Sequence, residues 1–146
     1  MKTSLFKALS VVMLLSLLIA PAAYAAPVER HVHCEGNGYA YLRGDLTVDV
    51  RARPGTLTLH DIAGDAILHL SGAGRKVVRG AWTYVYGFNG QAHADGSQIG
   101  LTISGRNVVL DATGRGVLHV RGRGFCTVDG VEYHWSDTQQ ELSVGE

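Results

Sequence analysis

Two histidines two residues apart stand in the stretch His31-Val32-His33-Cys34. In an extended segment such a pair projects both imidazoles to one side, which is how a strand offers two ligands to zinc or copper. His134 lies eight residues beyond Cys126, and a bond between Cys34 and Cys126 would carry it toward the pair as a third ligand. A metal site at His31, His33 and His134 is therefore one chemistry the chain permits. Against it, no acidic ligand is fixed nearby beyond Glu35 and Glu132, and a disulfide would remove both thiolates from the ligand set. The expectation is no bound cofactor, with zinc or copper at these histidines as the alternative.

The segment AWTYVYGFNG (residues 81–90) sets Trp82, Tyr84, Tyr86 and Phe88 at alternate positions, with Ala81, Thr83 and Val85 between them. A strand would place all four rings on one face. Large aromatics usually bury their area, so the rings are expected in the core. If they face outward, Trp82, Tyr84 and Tyr86 form a flat platform that stacks on sugar rings or on a partner. His60, His69, His93 and His119 alternate with apolar neighbours and are expected to face solvent. Arg115, Arg121 and Arg123 form one basic cluster and Arg75, Lys76 and Arg79 another; both read as solvated turn residues, with a polyanionic glycan as the functional alternative. Catalysis finds little support. There is no G-x-S-x-G elbow, H-E-x-x-H, C-x-x-C or phosphate loop, and Asp49, Asp61, Asp111 and Asp129 cannot be paired from sequence.

The N-terminus carries Lys2 and Lys7, an apolar run from Ala8 to Ala20 and the small-x-small triplet Ala23-Tyr24-Ala25. This is the pattern of a secretory signal peptide, residues 1–25, cleaved after Ala25. The run is shorter than the roughly 20 residues a spanning helix needs, and no cysteine at the cleavage point calls for a lipid. Residues 26–146 are then one exported domain, secreted or periplasmic. The whole chain has 13 basic and 13 acidic residues. Removing Lys2 and Lys7 leaves a slightly acidic domain, which argues against nucleic acid or an anionic membrane as partner. Two cysteines in an oxidising compartment predict one disulfide, Cys34–Cys126.

Period-2 alternation supplies the elements. Leu46, Val48 and Val50 alternate with Asp45, Thr47 and Asp49, and the habit recurs at Leu57 and Leu59, at Ala66, Leu68 and Leu70, at Ile99, Leu101 and Ile103, at Val108, Leu110 and Ala112, and at Leu118 and Val120. Each set lies on one strand face. Between the runs stand glycine signals such as Arg53-Pro54-Gly55, Ala63-Gly64-Asp65, Ser104-Gly105-Arg106 and Asp129-Gly130, read as reversals of the chain. No helical period survives. The fold class is all-β: a β-sandwich or flattened barrel of eight to ten short, mostly antiparallel strands, with a small β-solenoid as alternative. A faint repeat matches residues 44–68 with 105–128, the first glycine step being equal in both (Gly44 to Gly55, Gly105 to Gly116), as a tandem duplication would produce.

The runs GNGYAYLRG, GDAILHLSGAG, WTYVYGFNG and ISGRNVVLDATGRG resemble small exported bacterial proteins of glycine-punctuated β-strands. More distantly, LSGAG and ADGSQIGLTISG resemble the autotransporter-adhesin head domains of bacterial surface proteins. The resemblance spans Gly36 to Val128 and implies an extracytoplasmic β-domain with a surface or adhesive role; it supplies no catalytic residue. The function expected is a non-catalytic envelope or extracellular domain that binds a surface polysaccharide or envelope protein. A metal-binding protein is the second reading and a hydrolase without a recognisable motif the third.

Overall fold

The structure is a computed structural model that describes residues 28–145; the signal peptide inferred at residues 1–25 lies outside the described residues. Five strands, β1 (Arg30–Asp61), β2 (Ile67–Arg79), β3 (Trp82–Val128), β4 (Val131–His134) and β5 (Gln140–Val144), form one antiparallel sheet that does not close into a barrel. The chain is all-β, with no helix among the described residues. The difference from expectation is in number and length: β1 has 32 residues and β3 has 47, where a strand of 5–6 or so is usual. Only 62–66, Gly80-Ala81, Asp129-Gly130 and 135–139 interrupt the strands. The other glycine signals bend the chain without breaking its ladder.

The register shows how such long strands stay compact. His33 pairs with both Asp111 and Thr127, and Asp111 pairs with both His33 and Asp49. The two partners of these residues are sixteen apart (111 and 127; 33 and 49), and those of Tyr41 and Asp49 seventeen and eighteen apart (102 and 119; 93 and 111), so the β1–β3 ribbon winds into a coil of about sixteen to eighteen residues per turn, each turn hydrogen-bonded to the next. Bends come every eight residues or so, where glycines face each other across the ladder: Gly36 with Gly124, Gly44 with Gly116, Gly55 with Gly105. Each turn therefore has two facets, which enclose a core between them as a sandwich does. The stacked turns give the solenoid character that the near-regular glycine steps foreshadowed.

Two corners carry an extra residue in β3, the signature of a β-bulge. These are Asn107 and Gln98, both at φ 49°. Their amides donate to side chains on the facing corner of β1: Asn107 N–H to Asn37 Oδ1 and Gln98 N–H to Asp45 Oδ1, each at 2.9 Å. A bulge frees an N–H from the ladder, and these two caps satisfy it.

The inward set is the one alternation selects. Val32, Leu42, Val48, Leu57, Leu101, Leu110 and Leu118 are fully buried in a single cluster, with Ala66, Leu68 and Leu70 partly buried against it. No polar or charged side chain is buried among the described residues. Cys34 and Cys126 are direct cross-strand partners and form the disulfide, Cα atoms 4.1 Å apart. Trp135 covers it, its Nε1–H donating to Cys126 Sγ at 3.0 Å, and its ring fills the space that Gly36 leaves open.

The aromatic stripe does not enter the core. Trp82 is 40% and Tyr86 43% exposed, and Tyr84 is half-buried on the same outward face. Val85, between the rings, takes the interior position opposite Leu57. Only Phe88 points inward, because Gly87, at φ 63°, inserts the residue that reverses the alternation.

Candidate functional site

The two facets present different chemistry. On one, hydrogen-bonded neighbours place Glu132, Thr127, His33, Asp111, Asp49, His93 and His69 in a row across successive strands. Asp49 and Asp111, unpaired in the sequence reading, are cross-strand partners. Like charges so placed repel, and a histidine flanks each: His93 Nδ1 lies 2.8 Å from Asp49 and His33 Nδ1 2.7 Å from Asp111. His33 Nε2 also meets Glu35 at 3.1 Å. Of the three histidines named as metal ligands, His31 and His33 do converge, both on Asp111. His134 turns instead to Glu132 at 3.2 Å, in the row that Phe125 and Glu35 continue. Among the described residues no group of three or more His, Cys, Asp or Glu side chains is placed to hold a metal ion.

The hydrogen bond to Asp111 is the largest influence on His33 and raises its pKa above the ordinary imidazole value; partial burial opposes this, and Glu35 raises it further. A raised folded-state pKa stabilises the fold fully below the unfolded value, and that contribution fades as pH rises through the folded value. The expected result is a melting temperature whose excess over His33→Gln is present in mild acid and shrinks across neutrality. A pH-independent difference between the two proteins would show that the Asp111 pairing does not couple to protonation.

The other facet carries the aromatic residues. Trp82, Tyr84 and Tyr86 follow one another with ring centroids 6.1 Å apart and interplanar angles of 15° and 5°. His60, the cross-strand partner of Trp82, stacks on its face at 3.9 Å and 7°. The three ring planes, spaced along the strand, are therefore nearly parallel to one another. At one end Arg75 lies 5.5 Å from the centre of the Tyr86 ring, a cation–π contact.

The strip faces a floor of short hydroxyl side chains. Tyr84 is followed across the sheet by Thr58, Thr102, Tyr41 and His119, and Tyr86 by Thr56, Ser104 and Tyr39. Tyr84 and Tyr41 thus stand three strand spacings apart, about 14 Å, with threonines between. Tyr41 stacks with His119 and leans over Gly100 toward His60. The absent side chain at Gly100 leaves it room. Chemically this is a shallow trough with apolar ring surface on two rims and hydroxyl donors and acceptors below.

Trp82, Tyr84 and Tyr86 are therefore brought together as the outward alternative required. Sequence reasoning missed His60, Thr56, Thr58, Thr102 and Tyr41, which come from three other strand segments and become neighbours only through the register. No protein family, curated protein or solved structure matches this chain.

Proposed function

We propose that the protein is a non-catalytic, exported binding module that holds a surface polysaccharide on its aromatic facet. The observation that carries this reading is the strip of outward-facing, nearly parallel rings Trp82, Tyr84 and Tyr86 beside a threonine floor. Pyranose rings offer an apolar face that lies on aromatic surface and a rim of hydroxyls that the threonines can bond. Aromatic rings clustered on one outward facet lose hydrated apolar area when a partner covers them, which favours binding there. The Cys34–Cys126 disulfide fits an oxidising compartment, and the N-terminal pattern supplies the route there.

The test separates binding from stability. The mature protein is titrated against peptidoglycan, chitin and cellulose suspensions, followed by depletion from the supernatant, and against soluble oligosaccharides, followed by calorimetry. Trp82→Ala should keep the melting temperature within a few degrees and weaken binding roughly tenfold or more, since exposed rings carry contact energy rather than core packing. Leu101→Ala, at a fully buried site, should instead cost about 2–5 kcal/mol of stability. A protein that binds none of these polymers, or binds them equally well as Trp82→Ala, overturns the reading. Stoichiometric zinc or copper that survives dialysis and is lost in His31→Ala would replace it with the metal-binding one.

A further inference from the structure

We propose that copies of this chain stack head to tail, the β2 end of one coil against the β4–β5 end of the next. Each end of the coil is an open sheet edge. β2 pairs only with β3, and so do β4 and β5, so among the described residues a row of backbone donors and acceptors is free at both ends. Such edges are templates for another strand.

Three observations name a second copy as the partner. The first is charge. β2 carries Arg75, Lys76 and Arg79 and no acidic residue, whereas residues 131–144 carry Glu132, Asp137 and Glu141 and no lysine or arginine. Pairing like ends would set basic against basic or acidic against acidic; pairing unlike ends sets them in attraction.

The second is the unfinished core. Val131 and Tyr133 occupy core-facing positions, opposite Val128 and Cys126, yet are 55% and 39% exposed. Val78 at the other end is 60% exposed, and Leu68 and Leu70, on the other facet of that end, are only partly covered. A stacked coil exposes its core at the last turn unless something caps it. Laid end to end, Leu68 and Leu70 of one copy meet Val131 and Tyr133 of the other.

The third is strand sense. β2, β4 and β5 all run antiparallel to β3, so the facing edges of two copies related by translation along the coil run parallel. Continuing the rows by one strand sets Glu132 beside His69 and Glu141 beside Val77, between Arg75 and Arg79. This contact repeats without closing, so its product is a filament rather than a dimer.

Sedimentation of the mature protein over a range of concentrations, with negative-stain microscopy, tests it. The expected result is mass that grows past the dimer with concentration, and unbranched filaments. The triple variant Arg75→Glu, Lys76→Glu, Arg79→Glu and the double variant Glu132→Lys, Glu141→Lys should each associate roughly tenfold or more weakly, since like charges then face each other. Mixed, the two should assemble again. A monomer at every concentration would mean that the basic residues only protect the edge and would overturn the proposal. So would a discrete dimer, or assembly indifferent to both reversals. Polysaccharide binding by Trp82 is read separately and can fail without affecting this outcome.

Discussion

Gly44→Ala yields a chain that fails to assemble the coil, seen as loss of the cooperative thermal transition and of the near-ultraviolet signal of Trp135. Gly44 sits at a corner with φ 155°, directly opposite Gly116. A Cβ there would overlap the carbonyl oxygen of Arg115 and lie 2.6 Å from Gly116 Cα. Neither atom belongs to a side chain that can swing away. Relief requires the two strands to part, which breaks ladder bonds in the turn and in the one stacked upon it. A loss of about 4 kcal/mol or more is expected, beyond the usual range for a point substitution. Gly64→Ala is the control: its φ is 82°, but nothing lies within 4 Å of the new carbon, so only the conformational cost of about 1–2 kcal/mol remains. Equal melting temperatures for the two variants would show that the corners are looser than the glycine pairing requires.

That contrast also explains what the sequence could and could not reveal. Alternation identifies the inward residues because a side chain's face depends only on parity along its own strand, and Leu46, Val48, Leu101, Leu110 and Leu118 all fall where parity puts them. A glycine that bends a strand and a glycine that reverses it look alike in one dimension. Asp129-Gly130 reverses the chain and Gly105 does not, so many short strands were expected where two long ones wind. The matched steps Gly44 to Gly55 and Gly105 to Gly116 follow from strand pairing alone. These glycines are each other's partners, Gly44 with Gly116 and Gly55 with Gly105, so antiparallel pairing at the corners requires equal spacing without any duplication. The aromatic stripe was ambiguous because both of its faces are apolar enough to bury. The register of β3 against β1 decides it: Val85 meets Leu57 inside, and the rings meet Thr56, Thr58 and His60 outside. Nothing local to residues 81–90 contains that information.

Reduction of the Cys34–Cys126 bond is expected to remove most of the domain's stability. The bond closes a loop between residues 92 apart in sequence, and in the chain-entropy account a loop of that size lowers the entropy of the unfolded chain by about 4–5 kcal/mol at room temperature. Typical domains have only about 5–15 kcal/mol in total, and one of this size should melt roughly 15–20 °C lower without the bond. Its placement adds a local effect. Cys34 and Cys126 lie two residues from the Gly36–Gly124 corner, and Trp135, which follows β4, rests on Cys126 Sγ. Loss of the bond should therefore loosen β4 first. Because a disulfide quenches a nearby indole, Trp135 emission should rise on reduction before the global transition. Cys34→Ala with Cys126→Ala should reproduce the lower melting temperature and no longer respond to reductant. Thiol labelling of the unreduced protein should mark neither cysteine. If the reduced protein instead melts within about 3 °C of the oxidised one, the coil is held by its ladder and core alone, and the bond is incidental to its stability.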